Sequence, residues 1–192
     1  MTDQHPSTAT ALLREEHKLI LEVADALARM FAAEKDGDPL DYDAVARCVT
    51  FFRLFVDACH HGKEEVHLFP ELEANGLPRD AGPIAVMLDE HEQGRALVRA
   101  MAESLEDARG EDQTANAALR SAAEGFTNLI VAHIGKENNV LFNMADDWIV
   151  GSACQDLCAR YDEVCRRRFE GRTVEDLERL AGEILERHGP GH

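Results

Sequence analysis

Clustered positive charge is what this sequence most lacks: 20 Lys and Arg stand against 37 Asp and Glu, a formal charge of −17 over 192 residues. Nucleic acids and anionic membranes are recognised through grouped Lys and Arg. The one basic run, Arg166 to Arg168, is too short to supply that, so neither partner is expected. No eighteen apolar residues occur together, and the start, MTDQHPSTATALLREEH, has no basic segment followed by an apolar run. The expectation is a soluble, cytoplasmic protein. Period-two alternation is absent too, which argues against a sheet, and no fused signalling or recognition domain is visible. The cysteines are Cys48, Cys59, Cys154, Cys158 and Cys165, an odd number in a chain without an export signal, so reduced thiols are the default. Cys154, Cys158 and Cys165 share a helical stripe, a spacing open to metal binding or redox sensing, although small apolar packing is the simpler reading. Cys59 beside His60 reads as packing as well.

What is present is helix. With 45% hydrophobic and 30% charged residues, the chain suits one domain over 1–192 with ample core. Ser7 or Thr8 can cap a first helix to about Lys35, with Leu13, His17, Ile20, Ala24, Leu27 and Phe31 on one stripe. Asp36 to Pro39 ends it. Asp41 or Asp43 opens a second, turning Val49, Phe52, Val56, His60, Glu64 and His67 inward, with a kink at Pro70 and a stop at Asn75-Gly76. A third begins at Ile84 and runs to Gly110 with Met87, Leu88, His91, Met101 and Leu105 inward. Thr114 can cap the fourth, which carries Leu119, Phe126, Ile130, His133, Glu137 and Val140. Two shorter helices follow, roughly Ala153 to Phe169 and Thr173 to His188; the amphipathic face of the last must cover the bundle or a partner. The terminal GPGH reads as frayed. The predicted fold is all-α: an up-and-down four-helix bundle over 8–150 and a helical extension over 151–192.

One stretch occurs twice. His60 to Phe69 reads HHGKEEVHLF and His133 to Phe142 reads HIGKENNVLF. Four residues along a helix bring side chains back to the same face, so His60 stacks with Glu64 and His133 with Glu137. A lone histidine precedes each copy, His17 by 43 residues (17 to 60) and His91 by 42 (91 to 133). Two hairpins, each with one lone His and one HxxxE, pack as a bundle with pseudo-twofold symmetry in which six side chains converge. His61 and Glu65 also spell HxxxE, but aligning LF with LF selects His60 and Glu64, and His61→Ala is expected to do little. Four imidazoles and two carboxylates suit iron, manganese or zinc better than calcium or magnesium. Two octahedral ions need on the order of twelve ligand positions, and these six residues fill about eight. A bridging oxo or hydroxo would fill two more, and the charge deficit favours either that anion or a third carboxylate such as Glu16 or Glu90. Glu15, Glu16, Asp89 and Glu90 otherwise read as an acidic rim beside the site.

The pattern H, HxxxE, H, HxxxE resembles haemerythrin-like proteins, the HHE cation-binding domains, through CHHGKEEVHLFP, GPIAVMLDEHEQGR and HIGKENNVLF. The resemblance implies a non-haem diiron centre with His17, His60, Glu64, His91, His133 and Glu137 as ligands and the two carboxylates bridging. The invertebrate oxygen carriers of that family place a second histidine one turn from the third-helix ligand, where this chain has Met87 and Arg95 around His91, and they end on HxxxxD where this chain has HxxxE. A more open centre follows, favouring redox turnover over reversible oxygen carriage. His67, where similar sequences carry an apolar residue, is expected on the inward stripe as an extra ligand, a donor to Glu64 or packing.

Three functions compete. The leading one binds or turns over dioxygen, peroxide or nitric oxide, with peroxide disproportionation, and hence detoxification, its most concrete enzymatic form. The alternatives are a sensor of oxygen, nitric oxide or iron that signals through the C-terminal helices, and iron storage, ranked last because storage sites are richer in carboxylate.

Overall fold

The computed structural model describes residues 8–189. Helix α1 (Ala11–Lys35) buries the expected Leu13, His17, Ile20, Ala24, Leu27 and Phe31, three-and-four spacing that gives one apolar face. Of its two expected caps, Ser7 lies outside the described residues and Thr8 is not the cap. Thr10 holds the N-cap position without bonding its own helix; its hydroxyl bonds Asp146 at 2.9 Å instead. Gly37, at φ +106, lets the chain turn away.

Helix α2 (residues 42–74) starts on Asp41, whose carboxylate accepts from the Ala44 amide at 2.9 Å. It is α-helical over Tyr42–Phe51, π-helical over Phe52–His61 and Glu64–Leu68, and α-helical again over Phe69–Ala74. Pro70 follows the second π turn within the first residues of that last segment, where a proline removes no needed amide donor. Helix α3 (Gly82–Arg109) stops at Gly110. Helix α4 (residues 113–148) repeats the pattern of α2, with Gln113–Lys136 α-helical, Glu137–Leu141 π-helical and Phe142–Trp148 α-helical. Its cap is Asp112, which accepts from the Ala115 amide at 2.9 Å, and not the expected Thr114. The aspartate side chain stands one residue before the first helical turn, where the free amides are.

Helix α5 (Ser152–Cys165) ends before the predicted Phe169, because the chain turns back through a single bridge between Phe169 and Arg172 around Glu170 and Gly171, both at positive φ. Helix α6 (Val174–His188) opens with a reciprocal capping box of Thr173 and Asp176. The predicted frayed tail beyond Gly189 lies outside the described residues. Among the described residues the architecture is all-α, and no helix is long and apolar enough to cross a membrane.

The apolar side chains form two clusters. The larger joins Ile20, Leu27, Phe52, Phe55, Val98, Phe126 and Ile130 to Leu177, Ala181 and Ile184 of α6. The smaller gathers Leu13, Leu68, Phe69, Met87, Leu141 and Phe142 with Leu157 and Tyr161 of α5. Along each long helix the predicted ligands fall between the residues of one cluster and those of the other, so a polar layer is sealed on both sides by apolar packing.

Candidate metal centre

The polar layer divides into two matched halves. Each HxGKE copy contributes a histidine, a lysine and a glutamate. In one half, His60 Nδ1 lies 2.8 Å from a Glu16 oxygen, and the Lys63 ammonium holds the other oxygen of Glu16. In the other, His133 Nδ1 lies 3.0 Å from Glu90, and Lys136 holds the other oxygen of Glu90. The lone histidines are fixed likewise: His17 Nδ1 to Asn138 Oδ1 at 3.0 Å and His91 Nδ1 to Glu65 Oε1 at 2.7 Å. Asn138 and Glu65 each follow the motif glutamate by one residue, so the repeat also specifies which group fixes the lone histidine. Arg95 bonds the same Glu65 oxygen at 2.6 Å and Asp57 at 2.7 Å, which anchors that carboxylate.

Those bonds decide the imidazole state. Burial lowers His60 to about 4 and also lowers His133, so neither is charged near neutrality. Glu16, Glu65 and Glu90 are each lowered: desolvation opposes their charge, and the hydrogen bonds from histidine and from lysine or arginine outweigh it. A carboxylate only accepts, so Nδ1 of His60, His91 and His133 carries the proton and Nε2 carries the lone pair.

All four Nε2 atoms then face inward. His17 and His60 Nε2 are 3.0 Å apart, and His91 and His133 Nε2 are 3.2 Å apart. Two lone pairs so close repel unless a cation lies between them, and metal–nitrogen bonds of about 2.1 Å at a right angle separate the nitrogens by about 3.0 Å. Glu64 spans the halves, with Oε1 3.5 Å from His60 Nε2 and Oε2 3.5 Å from His91 Nε2. Glu137 Oε2 is 3.2 Å from His17 Nε2 and 3.3 Å from His133 Nε2. Both carboxylates are 0% exposed, and none of their four oxygens has a hydrogen-bond partner. Burial, then the charge of Glu137, pushes Glu64 well above the carboxylate range, while desolvation of Glu137 is outweighed by His133, His17 and His60. Buried carboxylates without donors are costly, and cations between the paired nitrogens remove that cost. The donors fit two metal ions sharing two carboxylates.

The family model for the hemerythrin HHE cation binding domain matches residues 8–145. This chain belongs to the hemerythrin HHE family. The chain is 24% identical over 168 residues to uncharacterized proteins of Mycobacterium bovis and of two strains of Mycobacterium tuberculosis, a match covering 85% of this chain and 64% of theirs. It therefore spans under two thirds of the length of those relatives. No solved structure matches this chain.

Two sequence expectations need correction. His67 is not brought to the centre. Burial lowers its pKa, with Arg160 and Arg167 adding to the effect, and Glu163 is its other charged neighbour; it faces α5 and the turn after it. The π turn at Glu64–Leu68 rotates the helix less per residue than an α turn does, so seven residues from His60 no longer return to the inner face. His61, by contrast, is buried and offers a ring nitrogen within 4.8 Å of the donor atoms of His91 and His133. Its ring stacks on His91 at 3.7 Å and neither of its nitrogens has a hydrogen-bond partner, Asp57 standing 3.7 Å from Nδ1. The repeat held the signal: position 61 corresponds to Ile134, which is 2% exposed, so the position faces inward in both copies. Lys63 and Lys136 carried a similar signal, as the lysine kept in both motifs. Glu16 and Glu90, expected either as extra ligands or as groups supporting the ligands, take the supporting place: they bond Nδ1 of His60 and His133 and not the paired nitrogens.

The two halves differ in access. Each lone histidine has a phenylalanine stacked beside it, Phe142 at 5.1 Å from His17 and Phe69 at 5.9 Å from His91, so the difference lies in the free space next to the ligands. The His91–His133 half adjoins a cavity of about 250 Å³ lined by Val56, Gly94, Val98, Phe126, His61 and His133, among others, between α2, α3 and α4.

Proposed function

We propose that this hemerythrin HHE chain carries two non-haem irons, one between His17 and His60 and one between His91 and His133, with Glu64 and Glu137 shared. We infer that it binds or turns over small oxidants, with peroxide detoxification in the cytoplasm as its task and neither nucleic acid nor membrane as a partner. The observation that carries this reading is the set of four carboxylate oxygens without a protein donor, framed by two pairs of facing imidazole nitrogens. When bound, the irons supply redox-active cations that exchange electrons with dioxygen, peroxide or nitric oxide.

The chain's own residues do the rest. Glu16, Glu65, Glu90 and Asn138 hold each imidazole in the tautomer that leaves Nε2 free. The apolar clusters keep bulk water from the shared carboxylates. The 250 Å³ cavity reaches His91 and His133 and not His17 or His60, so it admits a small molecule to the His91–His133 side. His61, neutral because burial and then His91 lower its pKa, stands at the inner end of that cavity with neither ring nitrogen hydrogen-bonded to another residue.

Metal analysis of the purified protein, followed by its absorption spectrum and oxygen evolution on adding hydrogen peroxide, tests the reading. About two irons per chain and sustained peroxide consumption are expected. One zinc and no iron would overturn the metal assignment, and a stable spectral change on gas binding without turnover would favour the sensor.

A further inference from the structure

A second cluster lies behind His60 and shares Glu16 with it. Cys59 Sγ, Cys165 Sγ and a Glu16 oxygen lie within 4.8 Å of one another. Cys59 is 0% exposed on α2, whereas Cys165, the last residue of α5, is partly exposed and lines a surface cavity of about 390 Å³ with Asp162, Arg166, Thr173 and Glu175. The two thiols come from residues 106 positions apart (165 − 59), so folding alone brings them together.

The third member of the cluster argues against a second metal. Lys63, 0% exposed, bonds Glu16 and donates to Cys59 Sγ at 3.3 Å. A cation already occupies the position from which both groups would bind one, and two positive charges so close in a buried setting repel. The same ammonium favours a thiolate, which is the nucleophilic form of cysteine. Cys165 is lowered to about 7, chiefly by hydrogen bonding from the Cys59 thiol and, against desolvation, by Lys63. Burial instead pushes Cys48 up to about 12 and Cys158 up to about 11.

We propose that Cys59 and Cys165 are a redox-active dithiol, distinct from the metal centre, which closes to an intramolecular disulfide when a hydroperoxide reaches Cys165 from its cavity. The Cys165 sulfur attacks the peroxide: an S–O bond forms, the O–O bond breaks, and the departing alkoxide or hydroxide takes the proton that Cys165 gave up. The Cys59 sulfur then displaces the hydroxyl of the sulfenic acid. An S–S bond forms, the S–O bond breaks, and the Cys59 proton leaves with that hydroxide as water. Two thiols and one hydroperoxide become one disulfide, one alcohol or water, and one further water, the thiols losing two electrons and the O–O bond gaining them. A dithiol reductant reverses the closure. Glu16 accepts from both Lys63 and His60, which puts the pair one carboxylate away from the centre.

The test uses the full-length metal-loaded protein, reduced, freed of reductant and treated with hydrogen peroxide from one to roughly ten equivalents, so that consumption at the centre does not mask the thiols. After alkylation and tryptic digestion, the peptide 54–63 should be found linked to 161–166, two of the five thiols should be lost, and dithiothreitol should restore them. With Cys59→Ser the reaction should stop at a sulfenic acid on Cys165 that dimedone traps; with Cys165→Ser, Cys59 should stay reduced. Full alkylation of Cys59 and Cys165 after peroxide, oxidation of Cys154 and Cys158 in their place, or a link only between separate chains would overturn the proposal.

Discussion

At the scale of single residues, the centre is two acidic side chains made tolerable by what surrounds them. Glu64 and Glu137 have no donors of their own, and every imidazole facing them is gripped from behind by a group that accepts a proton. His60→Ala is therefore expected to strip metal and lower thermal stability, since binding energy at such sites is folding energy; elemental analysis and a thermal melt read both. His61→Ala, expected from the sequence to be silent, should instead weaken binding at the His91–His133 half by about 10–100-fold, the range seen when supporting groups at metal sites are lost, as isothermal titration with ferrous iron would measure. Unchanged affinity would return His61 to packing. That these six side chains would converge was legible because two copies of one motif and two matched spacings fix them jointly. His61 was not, because aligning the copies by their LF pairs chose one histidine of the doublet, whereas the widened helix turns both toward the interior. Lys63 and Lys136 stood in plain view in the motif, but nothing in sequence says that Lys63 will be buried, or which carboxylate each lysine will hold, until Glu16 and Glu90 are placed by folding.

At the scale of elements, π turns begin at Glu64 and at Glu137, the two residues shared between the halves. Such turns concentrate at functional sites, and here they explain why strict 3.6-residue periodicity, correct for α1 and α3, misplaces His67. Helix starts were less legible than helix faces. Asp112, not Thr114, caps α4, so Asp112→Ala should cost about 1 kcal/mol, while Thr114→Ala should stay within about 0.5 kcal/mol; denaturant melts of the two variants decide it. The cavity between α2, α3 and α4 has its own test. A Cβ at Gly94 would sit 3.8 Å from Leu129 and 3.9 Å from Phe126, ordinary contact distances, so the backbone tolerates a side chain that projects into the space. Gly94→Leu is expected to keep full metal content while slowing the binding of azide or peroxide several-fold in stopped-flow absorbance. Unaltered rates would show that small molecules reach the centre by another way.

At the scale of the whole molecule, the amphipathic stripe of α6 announced how much surface it must bury, but not against what. Folding lays it on α1 and α2, with Leu177, Leu180 and Ile184 in the larger apolar cluster, while α5 inserts Leu157 and Tyr161 into the smaller one. The bundle is thereby closed on both sides of a polar layer whose protonation governs its stability. In metal-stripped protein, His60 is lowered from 6.5 to about 4 by burial. A depressed histidine contributes stability that is whole above 6.5 and lost as pH falls from there toward 4. Glu64 acts with the opposite sign. Its raised pKa means that the folded chain holds a proton the unfolded chain releases, so this contribution is present below 4.5 and lost as pH rises through the elevated native value. Near neutrality the stripped protein thus carries the cost of Glu64, and metal removes it by taking the place of the proton. Protons compete with metal at both residues, so the gap in melting temperature between loaded and stripped protein should widen from about pH 5 to about pH 8, and loading should release protons. Calorimetric titrations in two buffers of different ionisation enthalpy would register that release; a gap independent of pH, with no buffer dependence, would mean that the buried carboxylates do not take up the metal.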